Sequence, residues 1–306
     1  MDVRFVYQAF DLTGKYQWVY DQTLYSILSL MAAHGWNELP GNTAVSVFCD
    51  SPSRLEPLTE ILDIRQMDSQ RILKGMGPQR FIHRLKLDLM IELAKETSVP
   101  MIYFDGDVWF KSSLSNHLAR LIPNQSLMHV MEYPLGQTRD AMIRQNLTSI
   151  TSSDTGQLPI SSETMMHNAG VIGLHPANFD LLSKAIAFTD QVTPLGYSHT
   201  WEQLAVSAAL GNATQVSPVD DVVYHYWDQR ESYNTAISHR LRQIRQSHMT
   251  AADAVAYVRN NPVSIQPYQS STLLMRAFRK ITGRSRVIAR QMQDSIERLG
   301  ESRRAS

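Results

Sequence analysis

The stretch Val99-Pro100-Met101-Ile102-Tyr103-Phe104-Asp105-Gly106-Asp107 decides how this chain folds. A short apolar run that ends abruptly in acidic residues and a glycine reads as a buried strand delivering an acidic turn. Just upstream, Pro78 to Glu96 reads as a helix with Ile82, Leu85, Leu89 and Leu93 on one face. Nearer the N-terminus, Val3 to Phe10 and Ala44 to Cys49 read as strands, with helices over Tyr16 to His34 and about Ser53 to Leu62. Downstream, Leu127 to Met131 reads as a strand and Met165 to Leu174 is apolar around Asn168-Ala169-Gly170. Helices follow at about Pro176 to Gln191 and His199 to Leu210, and the last strands lie at Val216 and Val222 to Trp227. The segment Gly136 to Ser162, rich in Thr, Ser and Gln, has little periodicity and reads as an ordered excursion or a mobile flap. Strands alternating with helices predict an α/β fold with a mostly parallel central sheet covered on both faces. Ligands of such sheets collect beyond the carboxyl ends of the strands, where Asp105 and Asp107 fall.

With 306 residues, 43% of them hydrophobic, the chain can build one large core. We read residues 1–260 as one domain and residues 261–306 as a helical extension. Formal net charge is zero, so no global field argues for nucleic acid as a partner. The charge is unevenly placed: Ser271 to Ser306 holds nine Lys or Arg against three Asp or Glu. There Leu274, Phe278, Ile281, Ile288, Met292, Ile296 and Leu299 recur at helical spacing among arginines, the pattern of a basic amphipathic helix. Three readings stand for it: peripheral association with an anionic membrane, binding to a partner, and packing on its own domain. The single cysteine, Cys49, lies in an apolar run and is expected to be a small buried hydrophobe. No basic region followed by a long apolar stretch opens the chain, and no apolar run reaches about 18 residues. The expected location is the cytoplasm, peripheral to the inner face of the membrane if the basic helix binds it.

Asp105 and Asp107 are two close carboxylates that repel each other unless a cation shares them. Mn²⁺ or Mg²⁺ answers that need, since both take oxygen ligands from one or two carboxylates and complete the shell with phosphate and water. Gly106 between them is expected to let a diphosphate approach the backbone. An ordinary acidic turn after a strand is the plainer alternative.

The run Ile102-Tyr103-Phe104-Asp105-Gly106-Asp107-Val108-Trp109-Phe110 resembles the metal-binding Asp-x-Asp motif of GT-A fold nucleotide-diphospho-sugar glycosyltransferases, in the style of the galactosyltransferase and glycogenin-like group. His167-Asn168-Ala169-Gly170-Val171-Ile172-Gly173 is similar to the strand that lines the acceptor side in several of these families, with Ala169 in place of the usual Ser or Thr. Trp201-Glu202-Gln203 resembles their acidic-Gln helix start, and Tyr224-His225-Tyr226 their late strand. The Gly-x-x-Lys-Pro-Trp segment that follows the late histidine in that group is missing. The resemblance implies a single Rossmann-like GT-A domain that moves a sugar from a nucleotide-diphosphate donor, UDP-sugar favoured, to a glycan or lipid-linked acceptor. It implies Asp105, Asp107 and His225 as metal ligands, and Asp107, Glu202 and Gln203 as the catalytic group. Arg84, Lys86, Asn168 and Gly170 then belong to the donor site with Asp105, Gly106 and Asp107, and Gln8, Ala9 and Phe10 border the nucleobase. A catalytically silent relative that binds a nucleotide or a partner through the same fold is the alternative.

Overall fold

The computed structural model describes residues 2–14, 16–152 and 158–263. In chain order the elements are β1 (Val3–Ala9), α1 (Gln17–Ala33), β2 (Thr43–Cys49), β3 (Asp63–Gln66), α2 (Ser69–Gly75), α3 (Arg84–Ala94), β4 (Met101–Phe104), β5 (Val108–Phe110), α4 (Ser115–Leu118), β6 (Gln125–Met128), β7 (Met131–Pro134), α5 (Ala141–Ser152), β8 (Met165–His167), β9 (Val171–Leu174), α6 (Asp180–Val192), α7 (Trp201–Ala213), β10 (Gln215–Pro218), β11 (Val223–His225), α8 (Arg230–Gln246) and α9 (Ala251–Asn260).

Seven strands form the central sheet in the order β10-β6-β9-β4-β1-β2-β3. The pairings β1–β2, β1–β4, β2–β3 and β10–β6 are parallel, whereas β9 runs antiparallel to both β4 and β6. The fold is therefore α/β with a mostly parallel sheet, as the alternating pattern predicts. Because successive side chains leave a strand on opposite faces, β1 and β4 feed two separate cores. Phe5, Tyr7, Ile102 and Phe104 pack with α1, α8 and α9, while Val6, Met101 and Tyr103 pack with α3, α6 and α7. Cys49 is fully buried in the first core, and burial pushes its thiol up to about 12, so it acts as a small hydrophobe.

Several elements differ from the sequence reading, each for a local reason. The helix expected over Ser53 to Leu62 is a single 3₁₀ turn at Pro52–Leu55, because Glu56 precedes Pro57 and takes an extended ψ of 141°. The chain then adds β3 beside β2. The helix expected from Pro78 begins at Arg84, since Gly77 (φ 72°) and Arg80 (φ 50°) adopt left-handed backbone that ends α2 and turns the chain. The polar excursion Gly136 to Ser162 contains α5, whose Ile143 and Ile150 are buried. Beyond Trp227 the chain adds α8 and α9, which close the face over α1 through Tyr233, Ile237, Leu241 and Val255. The basic amphipathic stretch from Leu273 to Ser306 lies outside the described residues. No helix among the described residues is long and apolar enough to cross a membrane.

Candidate active site

The site forms at the carboxyl end of β4. Phe104 pairs with Val171 at the start of β9, and the ladder continues as the Asp105 amide donates to the Gly170 carbonyl at 2.9 Å. Because β9 is antiparallel, the turn Asn168–Gly170 that precedes it arrives at the same rim as the acidic turn that follows β4. A two-stranded antiparallel ribbon of β5 and β11 does the rest. His225 lies opposite Val108, and the Tyr226 amide donates to the Asp107 carbonyl at 3.1 Å. These pairings bring one ligand atom each of Asp105, Asp107 and His225 to within 4.8 Å of one another.

The donor set fits a hard divalent cation: two carboxylates and one imidazole, converging from three strand ends. The ring of His225 is fixed from both sides. Its Nδ1 lies 2.9 Å from Asn168 Oδ1, and its Nε2 lies 3.1 Å from Asp107 Oδ1. Asn168 Oδ1 already accepts from the Gly170 amide at 3.0 Å, so it acts as an acceptor and assigns a proton to Nδ1. That leaves Nε2, which faces the Asp107 carboxylate, as the nitrogen available to a cation, the arrangement that outer hydrogen bonds impose on metal-binding histidines. Asn168 is thus engaged in orienting His225.

Asp107 is buried, and burial alone would raise its pKa. His225 and Arg230 outweigh that cost by charge and hydrogen bonding and hold the carboxyl well below the usual range. Arg230 donates to Asp107 Oδ2 from Nε at 2.7 Å and approaches it from Nη2 at 2.6 Å. Asp105 faces Lys86 Nζ at 3.1 Å and accepts from the Tyr103 hydroxyl at 3.0 Å. Lys86 is 3% exposed; it also donates to the Ala169 carbonyl at 3.2 Å and meets Glu202 Oε1 at 3.4 Å. Burial would lower the Lys86 pKa, but the Asp105 and Glu202 carboxyls raise it, so its ammonium is retained. Burial pushes Glu202 up to about 7, with Lys86 opposing and Asp105 adding to the rise.

The remaining sequence-derived residues divide. Gln203 donates to Glu132 Oε2 at 2.7 Å, and Asn168 Nδ2 lies 3.5 Å from Glu132 Oε1, so β7 adds a carboxylate to the site. Gln8 ends β1 beside this rim with its side-chain oxygen buried and without a hydrogen-bond partner, and Ala9 is buried beside it. Phe10 packs at the edge of the second core. A cavity of about 500 Å³ opens beyond β2 and β3, lined by Asp50, Gln66, Met67, Asp68 and Ser69.

Three expectations are corrected. Arg84 does not reach the site: its Nε and Nη2 donate to Asp190 on α6 at 2.6 and 2.9 Å, and its Nη1 to the Gly75 carbonyl at 2.7 Å. Gly106 does not open its backbone to a ligand on its side-chain side, because a Cβ there would lie 2.8 Å from the Thr23 hydroxyl of α1. Gly170 likewise makes room for protein, since its Cβ would lie 2.5 Å from His225 Nδ1. Lys86, by contrast, lies inside the site. Arg230 and Glu132 were missed by the sequence reading. Arg230 follows the late histidine by five residues, where a basic residue is the one available signal; Glu132 carries none, since only the β7–β8 pairing brings it to Asn168.

Fold and site together define an α/β protein with an acidic, metal-competent centre at the strand ends. No protein-family model and no curated protein matches the chain. It is similar to the solved structure of galactosyltransferase LgtC in complex with donor and acceptor sugar analogs, at 13% identity and a TM-score of 0.47, over 70% of this chain and 73% of that one. Mouse xyloside xylosyltransferase 1 in its apo form is similar at 11% identity and a TM-score of 0.44, over 72% of this chain and 85% of that one. The bifunctional glycosyltransferase WbbM, also in an apo structure, is similar at 11% identity and a TM-score of 0.46, over 71% of this chain and 38% of that one.

Proposed function

We propose that the protein is a metal-dependent glycosyltransferase that moves a sugar from a nucleotide-diphosphate donor, a UDP-sugar by preference, to a glycan or lipid-linked acceptor. The observation that carries this reading is the convergence of Asp105, Asp107 and His225 at the carboxyl end of β4. Bound by those three residues, Mn²⁺ or Mg²⁺ supplies Lewis-acid stabilisation of the charge that develops on the departing nucleoside diphosphate. The chain's own residues do the rest. Asn168 holds the proton on His225 Nδ1, keeping Nε2 turned towards Asp107. Lys86, buried against Asp105, fixes that carboxylate and keeps positive charge beside the leaving group. Glu202, with a pKa raised to about 7, can hold or release a proton near neutral pH, which suits acid-base work. Gln203 and Glu132 offer paired hydrogen-bonding groups for sugar hydroxyls. The orphaned Gln8 oxygen and the cavity beyond β2 and β3 give the nucleobase end polar partners on the same rim.

The charge pattern of the sequence supports extending this proposal to cell-envelope glycan synthesis, with the basic stretch after residue 270 meeting the anionic inner face of the membrane. Thermal melting with UDP-, GDP-, ADP- and CDP-sugars, with and without Mn²⁺, tests the reading, because a ligand bound only by the folded state raises the melting temperature. One nucleotide class should stabilise the wild type in the presence of Mn²⁺ and fail to stabilise Asp107→Ala. No stabilisation by any donor would refute it. Stabilisation by a nucleotide without turnover of its sugar would identify the catalytically silent alternative.

A further inference from the structure

In this arrangement both oxygens of Asp107 are engaged, Oδ1 by His225 Nε2 at 3.1 Å and Oδ2 by Arg230 Nε at 2.7 Å and Nη2 at 2.6 Å. Asp105 faces Lys86 in the same way. Beside the His225 ring, two permanently charged side chains, Arg230 and Lys86, therefore sit against the two carboxylates that a divalent metal would share, but they differ in freedom. Lys86 is 3% exposed and tied to three groups, so it cannot leave. Arg230 is the first residue of α8, its side chain is 52% exposed, and among the described residues Asp107 is its sole hydrogen-bond and ion-pair partner.

The chemistry of the groups separates them further. With Nδ1–H held by Asn168, His225 donates to Asp107 from Nε2 in the ligand-free protein, and on giving up that proton it can offer the Nε2 lone pair to a metal. A guanidinium has no lone pair and stays charged, so Arg230 can only compete for Oδ2. It is also the side chain best shaped to fork onto phosphate oxygens.

We propose that Arg230 is an internal counter-ion: it occupies Asp107 until a diphosphate draws it away, so that divalent metal and nucleoside diphosphate bind cooperatively. This deepens the donor-site reading and rests on it. In the ligand-free protein Arg230 and His225 together compensate the buried Asp107 carboxylate. When the diphosphate arrives, the guanidinium exchanges one anion for another and uncovers Oδ2. The coupling is reciprocal, so each ligand raises the affinity for the other by the same factor.

The test is a Mn²⁺ titration of the full chain, followed by the EPR signal of free Mn²⁺, with and without UDP, GDP, ADP or CDP. Wild type is compared with Arg230→Gln, Arg230→Lys and Asp107→Asn, each checked for an intact melting transition. Without nucleotide, Arg230→Gln should bind Mn²⁺ about threefold tighter or more, as expected when a partly exposed competing ion pair is removed. Arg230→Lys, which keeps the charge, should stay nearer the wild type and serves if the Gln variant fails to fold. The nucleotide should tighten Mn²⁺ binding in the wild type by a larger factor than in Arg230→Gln. Equal or weaker Mn²⁺ binding by Arg230→Gln, with an unchanged nucleotide factor and binding still lost in Asp107→Asn, would overturn the counter-ion while leaving the donor site standing. A wild type that binds no Mn²⁺ with or without any of the four diphosphates would overturn both.

Discussion

A Cβ on Gly170 would lie 2.5 Å from Nδ1 of His225 and 2.6 Å from its Cε1. The glycine that opens β9 is therefore a steric condition for the position of the histidine. Gly170→Ala should displace the ring from between Asn168 and Asp107 and weaken Mn²⁺ binding by about tenfold, the scale measured when outer-shell support of a metal ligand is lost. The effect should exceed that of Gly211→Ala, where a Cβ meets nothing within 4 Å. Mn²⁺ titration of both variants measures it, and equal affinities would remove the steric role.

Lys86 compensates two carboxyls at once, the buried Glu202 and the partly exposed Asp105. Lys86→Met should destabilise the protein by about 3–5 kcal/mol, the cost of leaving a buried ion partner uncompensated. At pH 8, above the Glu202 pKa of about 7, Lys86→Met combined with Glu202→Gln should recover part of that loss, because the substituted amide neither ionises nor has to take up a proton. Urea unfolding of the three variants measures it, and strict additivity of the two substitutions would mean that Lys86 and Glu202 do not act on each other.

Glu202 should make stability fall as the solution becomes basic. Its folded pKa of about 7 stands above the ordinary 4.5, because burial outweighs the attraction of Lys86. The folded state thus holds a proton that the unfolded state has lost, and this contribution is full below about pH 4.5 and gone above about pH 7. The melting temperature of Glu202→Gln should therefore gain on that of the wild type between pH 4.5 and pH 8. A constant difference across that range would refute the assignment.

His34 should act in the opposite sense. Burial lowers its pKa from 6.5 to about 4, and its Nε2 accepts from the Leu114 amide at 3.1 Å, which requires the neutral ring. Its contribution is present above about pH 6.5 and lost as the pH falls through 4. His34→Gln keeps an acceptor but does not titrate, so its unfolding midpoint should fall less steeply with acid than that of the wild type. Identical acid slopes would place the titration elsewhere.

The sequence revealed most where one residue pattern serves one physical purpose. β1 and β2 are largely buried and read as mostly apolar runs, β4 is apolar and buried throughout, and the two aspartates after β4 have no apolar role to confuse them. α8 went unread because its buried residues, Tyr233, Ile237, Leu241 and Ile244, are outnumbered by polar and charged neighbours. α5 was hidden for the same reason, its two buried isoleucines diluted among Ser, Thr, Gln and Asn. Arg84 and Lys86 are two residues apart on one helix and looked equivalent. Only the packing of α6 and α7 decides that Asp190 captures the first and that Glu202 and Asp105 capture the second. Glu132 depends on a strand pairing across a segment whose length alone could not specify its partner.

The β5–β11 ribbon joins residues more than a hundred positions apart: Asp107 meets His225 and Arg230 at separations of 118 and 123. On a ribosome adding about 5–20 residues per second, roughly ten seconds pass between the appearance of the aspartate and that of its two partners. Through that interval the nascent polypeptide can lay down β1, β2 and β4, yet Asp107 has neither the imidazole nor the guanidinium that makes its burial tolerable. Completion of the centre is thus deferred until every strand of the seven-stranded sheet has been made, and a chain released before Arg230 would carry that sheet without its neutralised heart.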